Sequence, residues 1–481
     1  TNKEHFKTEA PDCILVRPDG DVWVGTWGVG LFRYDRNTDK FEQYCVDKTG
    51  RSLKGKNINF ICNYGDWIAM AIHEGDNPGT NQLVKIDIPE ANHTFVRNVA
   101  CFDNELWVGT HEGLFVVNER KNKIVHLKQD LMRPFSLSDK IIYTIYRDRE
   151  GGIWLGTMFG GVDYLPHHDL LFDKYVPGSD GNSLTTKRVR EIASDNKSNI
   201  WIGTEDDGVN ILNIASGKVR RLRLNDYDKG NYMVTLGMFV KGSQLFCGLF
   251  KQGLDVIQLP ENKVCHYTPE ELNIGEGSVY TFFIDNEGYK WIGTGWGLYK
   301  AAPTSFHFDK VEEVGFDWIF DVFQDKDGMM WFASMGSGLW KYDPHKNLFK
   351  KYTHEEGKEN TLSSNSVSSV MQDCKGRIWI STDRGGICCY NSQTDDFTTF
   401  SIKDGLPDDV AYKILEDEQS NLWFGTNRGL VRFNPESKDI RVYTTKDGLL
   451  GNQFNYKSAL KGEDGKFYFG GIDGLIAFDP N

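Results

Sequence analysis

At 481 residues the chain exceeds one ordinary hydrophobic core, so two or more domains are the starting expectation. Aromatic content of 13%, with 50 glycines and only 14 prolines, suits short strands joined by glycine turns and excludes a long-helix architecture. Against 68 acidic residues stand 55 basic ones, a net charge of −13 with no basic block, which argues against nucleic acid and anionic membrane as partners of this region.

Taken in chain order, the first candidate element is a short outer strand at His5-Phe6-Lys7. A repeated unit follows, V-x-x-I-x-x-D-x-x-G-x-I-W-I-G-T-x-x-G-G-L-x-x-Y-D. Its aromatic anchor recurs at Trp23, Trp67, Trp107, Trp154, Trp201, Phe246, Trp291, Trp331, Trp379, Trp423 and Tyr468, at intervals of 40 to 48 residues. After the fourth anchor comes Pro166-His167-His168, then LLFDKYV, which contains an outer-type strand at 172–175. The unit resumes at Val189 and continues, with clear copies at Val367 and Val410, to the end of the chain.

Each unit reads as four strands. V-x-x-I is an inner strand, and D-x-x-G a tight turn in which Asp bonds back to its own backbone. I-W-I-G-T is a second strand, apolar on both faces because it is sandwiched between neighbours. L-x-x-Y-D is a third strand, and F-x-x-Y, as at Phe41, Phe349 and Phe397, an outer one. Four antiparallel strands repeated radially make an all-β tandem propeller. Eleven units exceed one ring. The last unit ends without an outer strand, and counting back seven units reaches Val189. Residues 169–481 are therefore expected to form a seven-bladed propeller closed by the strand 172–175. The four units in residues 1–168 either form a small ring or are the back part of a larger, incomplete first propeller; the second reading is preferred.

The nine cysteines follow neither metal nor disulfide-framework spacing and read as buried small hydrophobes. No apolar run approaches the ~20 residues of a membrane span, and the opening residues do not form a signal peptide.

The repeat resembles the two-component-regulator propeller repeat of periplasmic sensors in Bacteroidetes hybrid two-component systems. The resemblance rests on IYRDREGGIWLGTMFGGVDYLP from Ile145, NSLTTKRVREIASDNKSNIWIGT before and through Trp201, and GLLGNQFNYKSALKGEDGKFYFGGIDGLIAFDP from Gly448. It implies two seven-bladed propellers outside the membrane, then an immunoglobulin-like domain, a membrane helix, a histidine kinase core, a receiver and a DNA-binding domain. It further implies a dimer through the parent receptor. The unit that usually opens such sensors is missing, and no kinase, receiver or helix-turn-helix sequence is present.

Candidate chemistry lies where the repeat is regular but the loop residue is not. The D-x-x-G aspartates read as turn formers and the strand tryptophans as inter-blade packing. Loops between second and third strands carry Trp27, His111, Met158, Phe159, Glu205, Asp206, Asp207, Phe250, Lys251, Trp296, Asp383, Arg384, Asn427 and Arg428. Aromatic faces beside planar hydrogen bonders suit carbohydrate. Five residues are expected to converge at the channel mouth of the second propeller: Trp296, Trp318, Arg384, Tyr412 and Arg428. Arginine offers paired donors to a uronate carboxylate or sulfate, and tryptophan a stacking face. Glu205, Asp206 and Asp207 read as rim charges and not as a catalytic pair. No metal, cofactor or catalytic residue is expected. The sequence thus reads as the periplasmic sensing region of a hybrid histidine kinase that recognises an oligosaccharide and controls glycan-utilisation genes. A glycan-active propeller enzyme, glycosidase or lyase, and a protein-interaction platform are the rivals.

Overall fold

The computed structural model describes residues 11–44, 57–64, 67–73, 81–83, 94–118, 123–131, 136–166, 172–178, 182–195, 198–205, 207–222, 234–259, 263–275 and 277–481. The opening element His5-Phe6-Lys7, His167-His168 and Asp206 lie outside them. Among these residues the only α-helix is the single turn Pro269–Leu272; nearly everything else regular is antiparallel strand. The chain divides into two compact units, Thr1–His167 and His168–Asn481.

The repeat motif dictates the sheet through four contacts. The motif aspartate accepts backbone N–H bonds from two and four residues on, as Asp325 does from Asp327 and Met329 at 3.0 and 2.9 Å. Its second oxygen takes the indole N–H of the anchor: Trp291 to Asp285, Trp331 to Asp325, Trp379 to Asp373 and Trp423 to Asp417, all at 2.8–2.9 Å. This aspartate therefore holds the tryptophan as well as the turn. The motif threonine, fully buried, closes the next turn by donating to a glycine carbonyl, as in Thr294 to Gly297 and Thr426 to Gly429. The motif glycine leaves room for the next sheet: a Cβ on Gly293 would lie 2.7 Å from the carbonyl of Ile319.

Packing follows one rule, in which each anchor is buried against the sheet that follows its own. In the second unit Trp291 packs with Ile319 and Phe332, Trp331 with Val367 and Ile380, and Trp379 with Ile414 and Phe424. Trp423 packs with Phe454 and Phe469. The last anchor, Tyr468, packs with Ile192, Ile200 and Ile202 of this unit's first sheet. That last sheet has three strands of its own, Phe454–Lys461, Phe467–Gly471 and Leu475–Phe478. Asp173–Tyr175 supplies the fourth, with Asp173 opposite Ala477 and Tyr175 opposite Leu475. Phe172 adds an edge contact to Phe478 at 5.1 Å. The inner strands of the first and last sheets meet in a parallel bridge between Glu191 and Lys457.

Among its described residues the first unit has four sheets, and Trp23 and Trp107 obey the same rule. Trp23 packs with Ile58 and Met70, and Trp107 with Ile142 and Leu155. Trp154, in the last sheet, is 41% exposed, with Tyr146, Tyr164 and Leu165 exposed beside it. The expectation that anchor tryptophans are buried between blades fails here: among the described residues of the first unit, no sheet follows the one that carries Trp154. At the opposite end Ile14 and Val16 are also exposed.

The cysteine expectation needs correction as well. The eight described cysteines are free thiols, and Cys265 and Cys374 are exposed. Cys265 lies in the outermost strand Lys263–Tyr267, and Cys374 lies in the D-x-x-G turn itself, places the repeat leaves to solvent.

Candidate channel-mouth site

Inner strands of the second unit share a local irregularity. The pairing slips by one residue at Arg190, Leu236, Phe320 and Ser368, between Val189 and Glu191, Thr235 and Gly237, Ile319 and Asp321, and Val367 and Ser369. Such bulges re-aim a side chain. Tyr280 and Tyr412 precede their inner strands and bond backbone N–H to the motif-glycine carbonyls of Gly293 and Gly425.

Side chains from these positions meet although they come from different sheets. Trp318 lies 5.0 Å from Tyr280, Tyr280 lies 6.2 Å from Phe320, Phe320 lies 5.3 Å from Tyr456, and Tyr456 lies 5.1 Å from Tyr412. All are edge-on or tilted pairs, a favourable aromatic arrangement. The Tyr412 hydroxyl donates to Asn427 at 2.7 Å. Burial pushes the Tyr412 phenol up, with Tyr456 and Asp383 adding to it. Burial also raises Tyr456, which feels the charges of Asp383, Arg190 and Arg384. Both phenols therefore stay neutral donors.

Of the five expected residues, the structure joins Trp318 and Tyr412 through this aromatic series and sets Arg384 within electrostatic reach of Tyr456. Arg384 is exposed and holds φ 74°, a left-handed backbone usually occupied by Gly, Asn or Asp. Arg428 is exposed next to Asn427, the acceptor of Tyr412. Trp296 is 58% exposed in its turn, where a Cβ on the adjacent Gly297 would approach the carbonyl of Gly315 to 2.6 Å. Its loop thus abuts the segment leading to Trp318, which carries the 76%-exposed Phe316.

Sequence reasoning missed Arg190, Tyr280, Phe320 and Tyr456. For Arg190, Tyr280 and Phe320 the available signal was positional, since each follows the first residue of V-x-x-I or its equivalent, where the motif shows only variability; Tyr456 lies in the irregular stretch between Phe454 and Ala459.

The rim acids are answered by arginines. Arg190 and Arg188 reach the two carboxylate oxygens of Glu205 at 3.2 and 3.6 Å, and Arg221 pairs with Asp207 at 2.6 Å. On the first unit Arg97 donates to His111 at 2.7 Å and sits 5.0 Å over Tyr143. Partial burial, then Arg97, lowers the His111 pKa, so the ring accepts that bond as the neutral form.

A two-component-regulator propeller model matches residues 136–159 and 405–428, one repeat in each unit. A histidine kinase of Formosa agariphila is 27% identical over 209 residues, covering 33% of this chain and 15% of the kinase. The extracellular domain of a hybrid two-component system from B. thetaiotaomicron superimposes over 100% of this chain and 63% of its own, with TM-score 0.74 and 21% identity. Virginiamycin B lyase from Staphylococcus aureus is similar over 64% of this chain and 99% of its own, with TM-score 0.50 and 12% identity. The chain thus spans a small fraction of the curated kinase and under two thirds of that extracellular domain. Among the described residues no helix is long and apolar enough to cross a membrane. The chain carries two-component-regulator propeller repeats in both of its units and has the all-β propeller fold found in the extracellular domain of a hybrid two-component system.

Proposed function

We propose that this chain is the periplasmic sensing region of a hybrid histidine kinase, and that it recognises an oligosaccharide at the channel mouth of its second unit. The observation that carries this reading is the aromatic series from Trp318 through Phe320 and Tyr456 to Tyr412, with Arg384 in electrostatic reach of Tyr456. An aromatic floor bordered by guanidinium and phenol donors suits a pyranose ring bearing a carboxylate or sulfate. The second unit is read as a closed seven-bladed ring. Support comes from Tyr468 packing on the first sheet and from the strand Asp173–Tyr175 completing the last. The first unit is read as part of a larger propeller, supported by the exposed faces at Trp154 and Ile14. Ligand acts by differential affinity for two arrangements of the parent receptor, read here as a dimer, and the output is control of glycan-utilisation genes.

Calorimetry against an oligosaccharide panel, with products followed, tests the reading. Arg384→Ala and Arg428→Ala should each weaken binding about ten- to a hundred-fold, the equivalent of about 1.5–3 kcal/mol for a charge-assisted contact, and Trp318→Ala, which removes a stacking face, up to about ten-fold. Unchanged affinity in all three folded variants moves the site elsewhere. Product formation replaces the sensor with an enzyme.

A further inference from the structure

Beneath the aromatic floor lies a layer of charge. Lys457 and Glu191, each 4% exposed, pair at 3.0 Å between the last and first sheets of the second unit. The same ammonium donates to the backbone carbonyl of Tyr280 at 2.5 Å, 177 residues away, and lies 5.2 Å from the centre of the Phe320 ring. Asp321 and Lys413 add their charges to the cluster. One side chain of the seventh sheet therefore touches the first, third and fourth.

Two of these contacts lead directly to the mouth. Tyr280, whose carbonyl Lys457 holds, is the residue on which Trp318 packs, and Phe320 links Trp318 and Tyr280 to Tyr456. Tyr456 immediately precedes Lys457, so the closing strand delivers both a mouth aromatic and its tether. An ammonium with a compact charge and a flexible four-carbon stem can satisfy a carboxylate, a carbonyl and a π face together. Being buried, it has no water to replace a lost partner.

We propose that Lys457 is the positioning residue of the channel mouth, a cross-channel tether that ties the seam between first and last sheets to the aromatic platform of Tyr280, Trp318 and Phe320. This deepens the function proposed above and rests on it for the platform's purpose. The tether itself is testable without ligand.

The experiment is fluorine NMR of ligand-free protein containing 5-fluorotryptophan, with Trp318, Trp296 and Trp379 assigned by Trp318→Phe, Trp296→Phe and Trp379→Phe. In Lys457→Met the Trp318 resonance should move by more than its linewidth or broaden, while Trp296 and the buried Trp379 stay in place. A stability role alone would leave all three in place in the folded variant or disturb them together, and either outcome overturns the proposal. If Lys457→Met does not fold, Lys457→Arg keeps the charge but imposes a planar fork, and the same three resonances decide with the same criteria. Loss of oligosaccharide binding in Arg384→Ala concerns the ligand reading alone, so the two proposals fail separately.

Discussion

Trp154 and Trp423 occupy the same place in the same repeat, one in the last sheet of the first unit and one in the sixth sheet of the second. Each indole N–H donates to its motif aspartate, Asp148 at 2.7 Å and Asp417 at 2.8 Å. Yet Trp423 is fully buried and Trp154 is 41% exposed. The turn and its hydrogen bonds are made within one sheet, whereas the burial is made by the next. An aromatic side chain brings about 150–250 Å² to such an interface, at about 25 cal/mol per Å². The repeat is thus locally complete and energetically unfinished until a neighbour arrives.

The largest expected effect follows directly. Trp423→Ala should cost about 3–5 kcal/mol, and Trp154→Ala less than half as much, in denaturant unfolding with hydrogen exchange assigning each loss to its unit. Equal losses would mean that a cover lies over Trp154. Next, Asp417→Ala strands the Trp423 indole and the backbone N–H groups of Gln419 and Asn421. With the Trp423 indole buried, the loss should be about 1–3 kcal/mol. Asp148→Ala should lose less by the same assay, because water reaches the Trp154 face.

The smallest effect is in pH dependence, and two carboxylates should show opposite slopes. Glu191 is raised above its ordinary value by burial, with Lys457 and Lys413 pulling against the shift. Its contribution is therefore fully present below the ordinary glutamate value and is lost as pH rises through the raised one. The stability gap between the wild type and Glu191→Gln should widen on acidification from neutral pH. Asp148 is lowered, first by the Trp154 hydrogen bond. Its contribution is present above the ordinary aspartate value of 3.8 and is lost as pH falls through the lowered one. The gap between the wild type and Asp148→Asn should close on acidification. Urea unfolding across pH measures both, and parallel slopes would remove the contrast between seam and open face.

Much of the architecture was legible because the repeat is written in local chemistry. The strands Leu348–Tyr352 and Asp396–Phe400 lie where F-x-x-Y predicts them, and Asp173–Tyr175 lies within the segment expected to act as an outer strand. The site was legible only in part. Trp318, Tyr412 and Arg384 stood out because the repeat is regular around them and unusual at them. Arg190, Phe320 and Tyr456 sit within the inner strands, and no single repeat reveals that a bulge turns such a position toward its counterparts. The role of Lys457 was hidden further still, since its partners lie 266 and 177 residues away in sequence.

Sequence alone determined what each unit does within itself: where Asp turns the chain, where Gly admits a neighbour and where Thr closes the next turn. Each depends on contacts a few residues apart or on the geometry of one residue. Only the tertiary structure decided which anchors are buried, which strand completes the last sheet and which side chains of separate sheets meet. Those depend on sheets placed side by side by packing, and the same motif residues recur whether or not a neighbour is there to cover them.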